Sequence, residues 1–217
     1  QEAYLTYDGD GVGARIGRFA TPIGYEVLEP WGNAQASRSW AWQAQSINHD
    51  GLTFGGTADV IDVMIGIVNN FTVADQDILA NDADDEKGVI VSLSAGVSET
   101  FNLYVSGLYT EEQDTVDIGA VDVIVSGNLR VSPSGLRYAV EGYYRRDNPD
   151  GAGADKLWSI AAYLGHRLGG PFSLSSRIEY FEDEGILLPD TSVVSLTPTL
   201  TIELVDANQV VARLPLS

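Results

Sequence analysis

Apolar and polar residues alternate one for one along most of this chain. In FNLYVSGLYT, residues 101–110, Phe101, Leu103, Val105, Gly107 and Tyr109 share one parity, and Asn102, Tyr104, Ser106, Leu108 and Thr110 the other. Successive side chains of a β-strand point to opposite faces, so the pattern predicts a strand with one apolar side. The alternation recurs throughout. Val89, Val91, Leu93 and Val97 stand against Ser92, Ser94 and Ser98, and Val121, Val123 and Val125 against Asp122, Ser126 and Asn128. Tyr138, Val140 and Tyr144 oppose Arg137, Glu141 and Arg145; Trp158, Ile160 and Leu164 oppose Ser159, Tyr163 and Arg167. Phe172, Leu174, Ile178 and Tyr180 oppose Ser173, Ser175, Arg177 and Glu179, and Val194, Leu196 and Ile202 oppose Ser195, Thr197 and Thr201. No 3.6-residue period is sustained, and the pattern predicts an all-β chain of about twelve strands.

The connections alternate too. Short turns rich in Gly, Pro, Ser and Asp fall near 8–12, 57–59, 98–100, 132–135, 168–171 and 205–207. Longer links fall between them, at 21–50, 72–87, 111–117, 147–155 and 182–190. An up-and-down meander puts all the short turns at one end and all the long links at the other. At the long-link end, the segments 71–87, 111–117, 147–155 and 182–190 hold 17 of the 31 acidic residues, which places that end in water.

Two environments accept such strands. A soluble sandwich or lipocalin-like barrel turns the apolar parity into a packed core; a membrane barrel turns it out to lipid and encloses the polar parity. Three features favour lipid. Many strands run about ten residues or more, the length a tilted strand needs to cross a bilayer. The asymmetry of short turns and long links matches transmembrane barrels. Tyr109, Tyr138, Tyr144, Trp158, Phe172 and Tyr180 sit on the apolar parity toward strand ends, where interfacial girdles form. The predicted fold is therefore an antiparallel up-and-down transmembrane β-barrel, one domain over 1–217. No apolar run reaches the roughly 20 residues of a spanning helix. A net charge of −19 argues against nucleic-acid partners, and with no cysteine there are no disulfides or thiolate metal sites.

Residues 17–71 add specific motifs: GRFATPIGYEVLEP, SRSWAW, INHDGLTFGG and GIVNNF. With GLYTEEQD, KLWSIAAYL and SSRIEYFEDEG further on, the chain resembles the OmpL-like β-barrel porin-2 family of Gram-negative outer membranes. The resemblance covers almost the whole chain. It implies an outer-membrane location, a bilayer and lipopolysaccharide as surroundings, small hydrophilic solutes or ions as cargo, and a possible homo-oligomer. It also implies that the chain is the middle and later part of a longer porin, truncated at both ends; the final RLPLS lacks the terminal aromatic common in bacterial barrels.

The candidate site is the 21–50 link, whose Glu26, Glu29 and Arg38 stand among Trp31, Trp40 and Trp42. Folded inward it narrows a pore and filters by charge; folded outward it is an ordinary external loop packed by its tryptophans. On the polar parity Arg130, Arg137, Glu141, Arg145, Arg167, Arg177 and Glu179 form a mixed charged wall, which either lines a lumen or neutralises itself across neighbouring strands. His49 and His166 lack metal spacing, and DADDEK, residues 82–87, lacks the spaced ligands of a Ca²⁺ loop. Asn70-Phe71-Thr72 fits a glycosylation sequon that chance also produces, and the glycines of DGDGVG suit a hairpin turn. No nucleophile elbow, phosphate loop or metal motif occurs. The reading is a porin without cofactor or catalysis, with a plugged adhesive barrel or a soluble secreted sandwich as alternatives.

Overall fold

The computed structural model describes residues 2–69, 87–98, 100–112, 116–129, 135–203 and 211–215. Twelve strands form one sheet in sequence order: β1 (Ala3–Gly9), β2 (Val12–Ala20), β3 (Asn48–Ala58), β4 (Ile61–Val68), β5 (Gly88–Ser98), β6 (Phe101–Glu112), β7 (Val116–Leu129), β8 (Leu136–Pro149), β9 (Asp155–Gly169), β10 (Phe172–Asp183), β11 (Thr191–Glu203) and β12 (Val211–Pro215). Each strand pairs antiparallel with its chain neighbours, and among the described residues no ladder joins β1 to β12. The sheet is an open part of a barrel wall. A single α-helical turn, α1 (Trp40–Ala44), lies in the link between β2 and β3.

Turn chemistry fixes the hairpins. Between β1 and β2 only Asp10 and Gly11 turn the chain, both at positive φ (37° and 82°). This is the two-residue Asp-Gly hairpin whose twist suits antiparallel strands, and it accounts for Gly11 of DGDGVG, while Gly9 and Gly13 lie in the flanking strands.

Two of the predicted long links are shorter than their polar sequences suggest. β6 continues to Glu112 and β7 begins at Val116, while β8 runs to Pro149 and β9 starts at Asp155. Ladder pairing such as Glu111↔Asp117 and Asp147↔Asp155 carries these strands past the apolar zone. Strand geometry satisfies the backbone whatever the side chains, so charged residues extend a hairpin as long as they stand in water.

The two faces are inverted relative to a soluble protein. On β10, Arg177 is 2% exposed, Ile178 54% and Glu179 1%. The same holds along β7 to β9, where Val121, Val123, Val140, Ile160 and Leu164 are exposed while Asp122, Glu141 and Ser159 are buried. The outer face carries an apolar belt edged by aromatics: Phe101, Tyr138 and Phe172 toward the short turns, and Tyr109, Tyr144, Trp158 and Tyr180 toward the long links. Tyr144 pairs directly with Trp158, whose ring lies 5.0 Å from that of Tyr180. On β9 the belt runs from Trp158 to Leu168; ten rises of about 3.4 Å, tilted by about 40°, give roughly 26 Å of height, close to the apolar band of membrane barrels.

The buried face is also the concave one. On a flat sheet β2 and β7 would lie five spacings apart, roughly 24 Å at about 4.8 Å each. The four residues from Ala20 to Gly24 reach at most about 14 Å, yet the Gly24 amide bonds to Asp122 of β7. The sheet curls around the link. Under that link lies a small apolar core of Phe19, Ile23, Ala41, Ala44, Val68, Ile90, Leu108, Leu157 and Phe181. Leu108, Leu157 and Phe181 occupy the otherwise polar parity because the link, rather than water, covers them.

Orientation has a direct test. Val123→Lys places a charge in the belt and should lower stability in lipid vesicles by about 2–4 kcal/mol, whereas Asn128→Lys, on the opposite parity, should change it by no more than about 0.5 kcal/mol. Denaturant unfolding of both variants checks this; equal losses would reverse the assignment of the faces.

Candidate functional site

The link from Thr21 to Ile47 lies against the inner face, anchored through the motifs that stand out in its sequence. At its mouth the Thr21 amide donates to the Ile47 carbonyl (2.9 Å), and the Thr21 hydroxyl lies 3.1 Å from both Ser46 Oγ and His49 Nε2. The first group of contacts belongs to TPIGYE. Tyr104 of β6 donates to the Pro22 carbonyl (2.5 Å), Gly24 N–H to Asp122 Oδ2 of β7 (3.2 Å) and Tyr25 N–H to Glu141 Oε1 of β8 (3.0 Å). Gln45 Nε2 and the Tyr163 hydroxyl complete the shell of Glu141 at 2.9 and 2.8 Å, and the Tyr25 ring packs 4.5 Å from that of Tyr163. Gly24 is required here. Its φ is +97°, and a Cβ would stand 2.1 Å from Gln45 Oε1, displacing the amide that serves Glu141.

The second group gathers Glu26 and the SRSW segment around Arg177 of β10. Arg177 Nη1 donates to Glu26 Oε1 (2.6 Å) and to the Ser37 carbonyl (2.9 Å), and Nη2 donates to the Arg38 carbonyl (2.8 Å) and Thr197 Oγ1 (3.3 Å). Its Nε lies 3.8 Å from Glu179 Oε2. Glu179 accepts from the first two amides of α1, Trp40 (3.0 Å) and Ala41 (2.9 Å), and from Ser159 Oγ (3.0 Å). Ser39 caps α1 by accepting from Trp42 N–H (3.1 Å), while its own amide donates to Glu26 Oε2 (3.0 Å). Two buried carboxylates thus face the Arg177 guanidinium and three backbone amides, with Arg38 Nη1 a further 4.0 Å from Glu26 Oε2. Burial pushes the Glu26 carboxyl above its ordinary range, opposed by Arg177 and the Ser39 amide. Burial also lowers Arg38, which donates to the carbonyls of Val27 and Leu28 and stacks 4.5 Å over the Trp42 ring.

Further contacts fasten the link at its flanks. Ala36 N–H donates to Thr199 Oγ1 of β11 (3.2 Å), Ser175 Oγ to the Ala34 carbonyl (2.7 Å), and Tyr143 and Arg145 of β8 to the Ala44 carbonyl (3.1 and 3.2 Å). Arg145 is also paired with Asp147, two residues along its own strand, at 2.6 Å. A second segment folds over the same end. Asp183 takes the amides of Gly185, Ile186, Leu187 and Leu188 at 2.6 to 3.0 Å, and Ile186 and Leu187 pack on the inner apolar core.

Of the residues singled out in the sequence, Glu26, Arg38, Glu141, Arg145, Arg177 and Glu179 are brought together around the link. Glu29 lies half-buried within it, where its carbonyl accepts from Asn33 Nδ2 (3.0 Å). Arg137 and Arg167 are exposed on the inner parity toward the short turns, Arg137 within electrostatic reach of Tyr25 of the link, and Arg130 lies outside the described residues. So do residues 70–86, with the sequon and most of DADDEK. In the group around the link, Arg177, Glu141 and Glu179 are engaged largely by the link itself, which supplies Glu26 and backbone amides, whereas the ion-pair partner of Arg145 is Asp147 of its own strand. Asp122, Tyr163, Gln45 and Asp183 are not among the site residues the sequence marks, although Asp122 and Tyr163 fall on its polar parity. A lone acid between Val121 and Val123 on the inward parity was the available signal for Asp122; nothing local marks Gln45. Asp122 Oδ1 is buried with no hydrogen-bond partner among the described residues. Among the described residues no group of three or more His, Asp or Glu is placed to hold a metal.

The profile of the family described as putative beta-barrel porin-2, OmpL-like, matches residues 1–217, the full length of the chain. No curated protein and no solved structure matches it.

Arg177 is the test of this arrangement. Arg177→Ala leaves Glu179 buried without its cation and Glu26 with only the longer Arg38 contact, and losing one partner of a buried pair costs about 3–5 kcal/mol. The expected result is a link cleaved by added protease at 27–37 in folded, reconstituted protein, with wild type resistant. Equal resistance would show that the ion pair does not hold the link.

Proposed function

The chain belongs to the OmpL-like β-barrel porin-2 family, and on that premise we propose that it forms an outer-membrane channel for passive diffusion of small hydrophilic solutes or ions, narrowed by the 21–50 link. The family is one of Gram-negative outer-membrane porins. The observation that carries the reading is the polarity inversion: an apolar outer belt with Arg177, Glu179, Glu141 and Asp122 on the concave face. Hydrocarbon has no use for those groups, and enclosed water or an inserted segment does.

Selectivity follows from charge that still faces water. The acids under the link are engaged by amides, hydroxyls and Arg177, so they contribute little field to a passing ion. The acids of the long links, part of a chain carrying −19 overall, concentrate cations at that mouth over a range of about 8 Å at physiological ionic strength. Passage needs no cofactor: bore, lining and mouth charge suffice.

A second reading is a barrel plugged by its own link, favoured by the number of inner strands, β6, β7, β8, β10 and β11, to which that link is bonded. Planar-bilayer recording separates the two. A diffusion channel gives wild-type conductance steps and a cation-favouring reversal potential at low salt; silent wild type with conducting Arg177→Ala selects the plug. Anion preference at low salt would overturn the mouth-charge account.

A further inference from the structure

Outward-facing charge is distributed unevenly between the two rims. Among the described strand residues the cations on the outer face are Arg18, Arg146 and Lys156, and all three stand at the long-link end. None stands at the short-turn end, where Arg137 and Arg167 are on the inner parity. Arg18 is already held by both carboxylate oxygens of Asp50. Arg146 and Lys156 are different. They are direct cross-strand partners on β8 and β9, one two-residue step beyond Tyr144 and Trp158, which are themselves cross-strand partners in the aromatic edge of the belt. That step is about 7 Å along the strand, which places the two cations where acyl chains give way to headgroups.

Their surroundings leave room for an anion. Arg146 is exposed and has no hydrogen bond or ion pair among the described residues. Its partner on β7 is Gly119, where even a Cβ would meet nothing within 4 Å. Lys156 Nζ is 3.8 Å from Glu184 Oε2, with both side chains about half exposed (48% and 49%), a loose pair in water that contributes little. Two neighbouring outward acids each accept a tyrosine hydroxyl: Asp117 from Tyr109 (2.8 Å) and Glu182 from Tyr180 (2.7 Å). A cationic pair on so acidic a chain is not explained by solubility, for which more acid would serve.

The geometry points to Arg146 and Lys156 as a docking site for a phosphate of lipopolysaccharide, the phosphorylated glycolipid of the outer leaflet, with its acyl chains lying along the belt below Tyr144 and Trp158. The guanidinium offers two parallel N–H donors to phosphate oxygens and the ammonium a point charge beside them. The inference rests on the outer-membrane placement proposed above, with the long links outside. It does not rest on conductance.

The test is native mass spectrometry of the detergent-solubilised chain titrated with bis-phosphorylated lipid A, in chelator so that divalent ions cannot bridge it to Glu182 and Glu184. Charge-assisted bonds of this kind predict binding weakened at least roughly tenfold in the Arg146→Gln/Lys156→Gln double variant, with Lys87→Gln, a cation elsewhere at the same end, near wild type. Wild type should likewise prefer lipid A with phosphates over the dephosphorylated lipid. Equal binding by the double variant, or no preference for the phosphorylated form, overturns the site while leaving the channel intact. A chain that stays monomeric in plain buffer and takes up neither lipid overturns the membrane placement, and the site with it.

Discussion

Everything in this molecule answers to one constraint: the outer face of the sheet must be free of charge across the height of a hydrocarbon layer. Polar side chains then have only the concave face, and there they face one another at strand spacing in a space with little water. Such groups are costly unless each finds a partner. The 21–50 link is the answer the sequence supplies. Its amides, its Glu26 and its carbonyls meet Asp122, Glu141, Arg177 and Glu179 almost group for group, so the wall and the link satisfy each other.

That exchange explains why two short motifs behave as a unit. TPIGYE turns the chain off β2 and lays three consecutive backbone stretches against β6, β7 and β8; SRSW wraps Arg177 and starts α1 on the carboxylate of Glu179. A five-residue helix has little stability of its own. Here the Ser39 cap and the Glu179 carboxylate occupy its free amides, and Ala41 and Ala44 are small enough to let it lie close against β9 and β10.

Much of the wall was legible in the sequence because the bilayer imposes a period of two on every strand. Val121 to Val125 and Trp158 to Leu164 announce their faces without help from the rest of the chain. Strand ends were less legible: Glu111, Asp117, Asp147 and Asp155 look like loop residues and are ladder residues, since pairing continues into water. Leu108, Leu157 and Phe181 broke the polar parity for a reason visible only in three dimensions, the link above them. The link itself gave up its chemistry in part. Glu26, Arg38 and Arg177 stand out in the sequence as charges, but that Glu26 meets Arg177 across 151 positions of sequence is a fact of barrel curvature, which no local pattern encodes.

That long reach in sequence bears on how the protein assembles. The wall is built from neighbour-to-neighbour hairpins, contacts that close small loops and form readily. The bonds of the link span 82 to 163 positions, from Pro22 with Tyr104 to Ala36 with Thr199. They can form only once β6 to β11 stand beside one another and the sheet has curled. The order of events is therefore written into the topology: the scaffold arises first as a wide, wet trough, and its interior is furnished last.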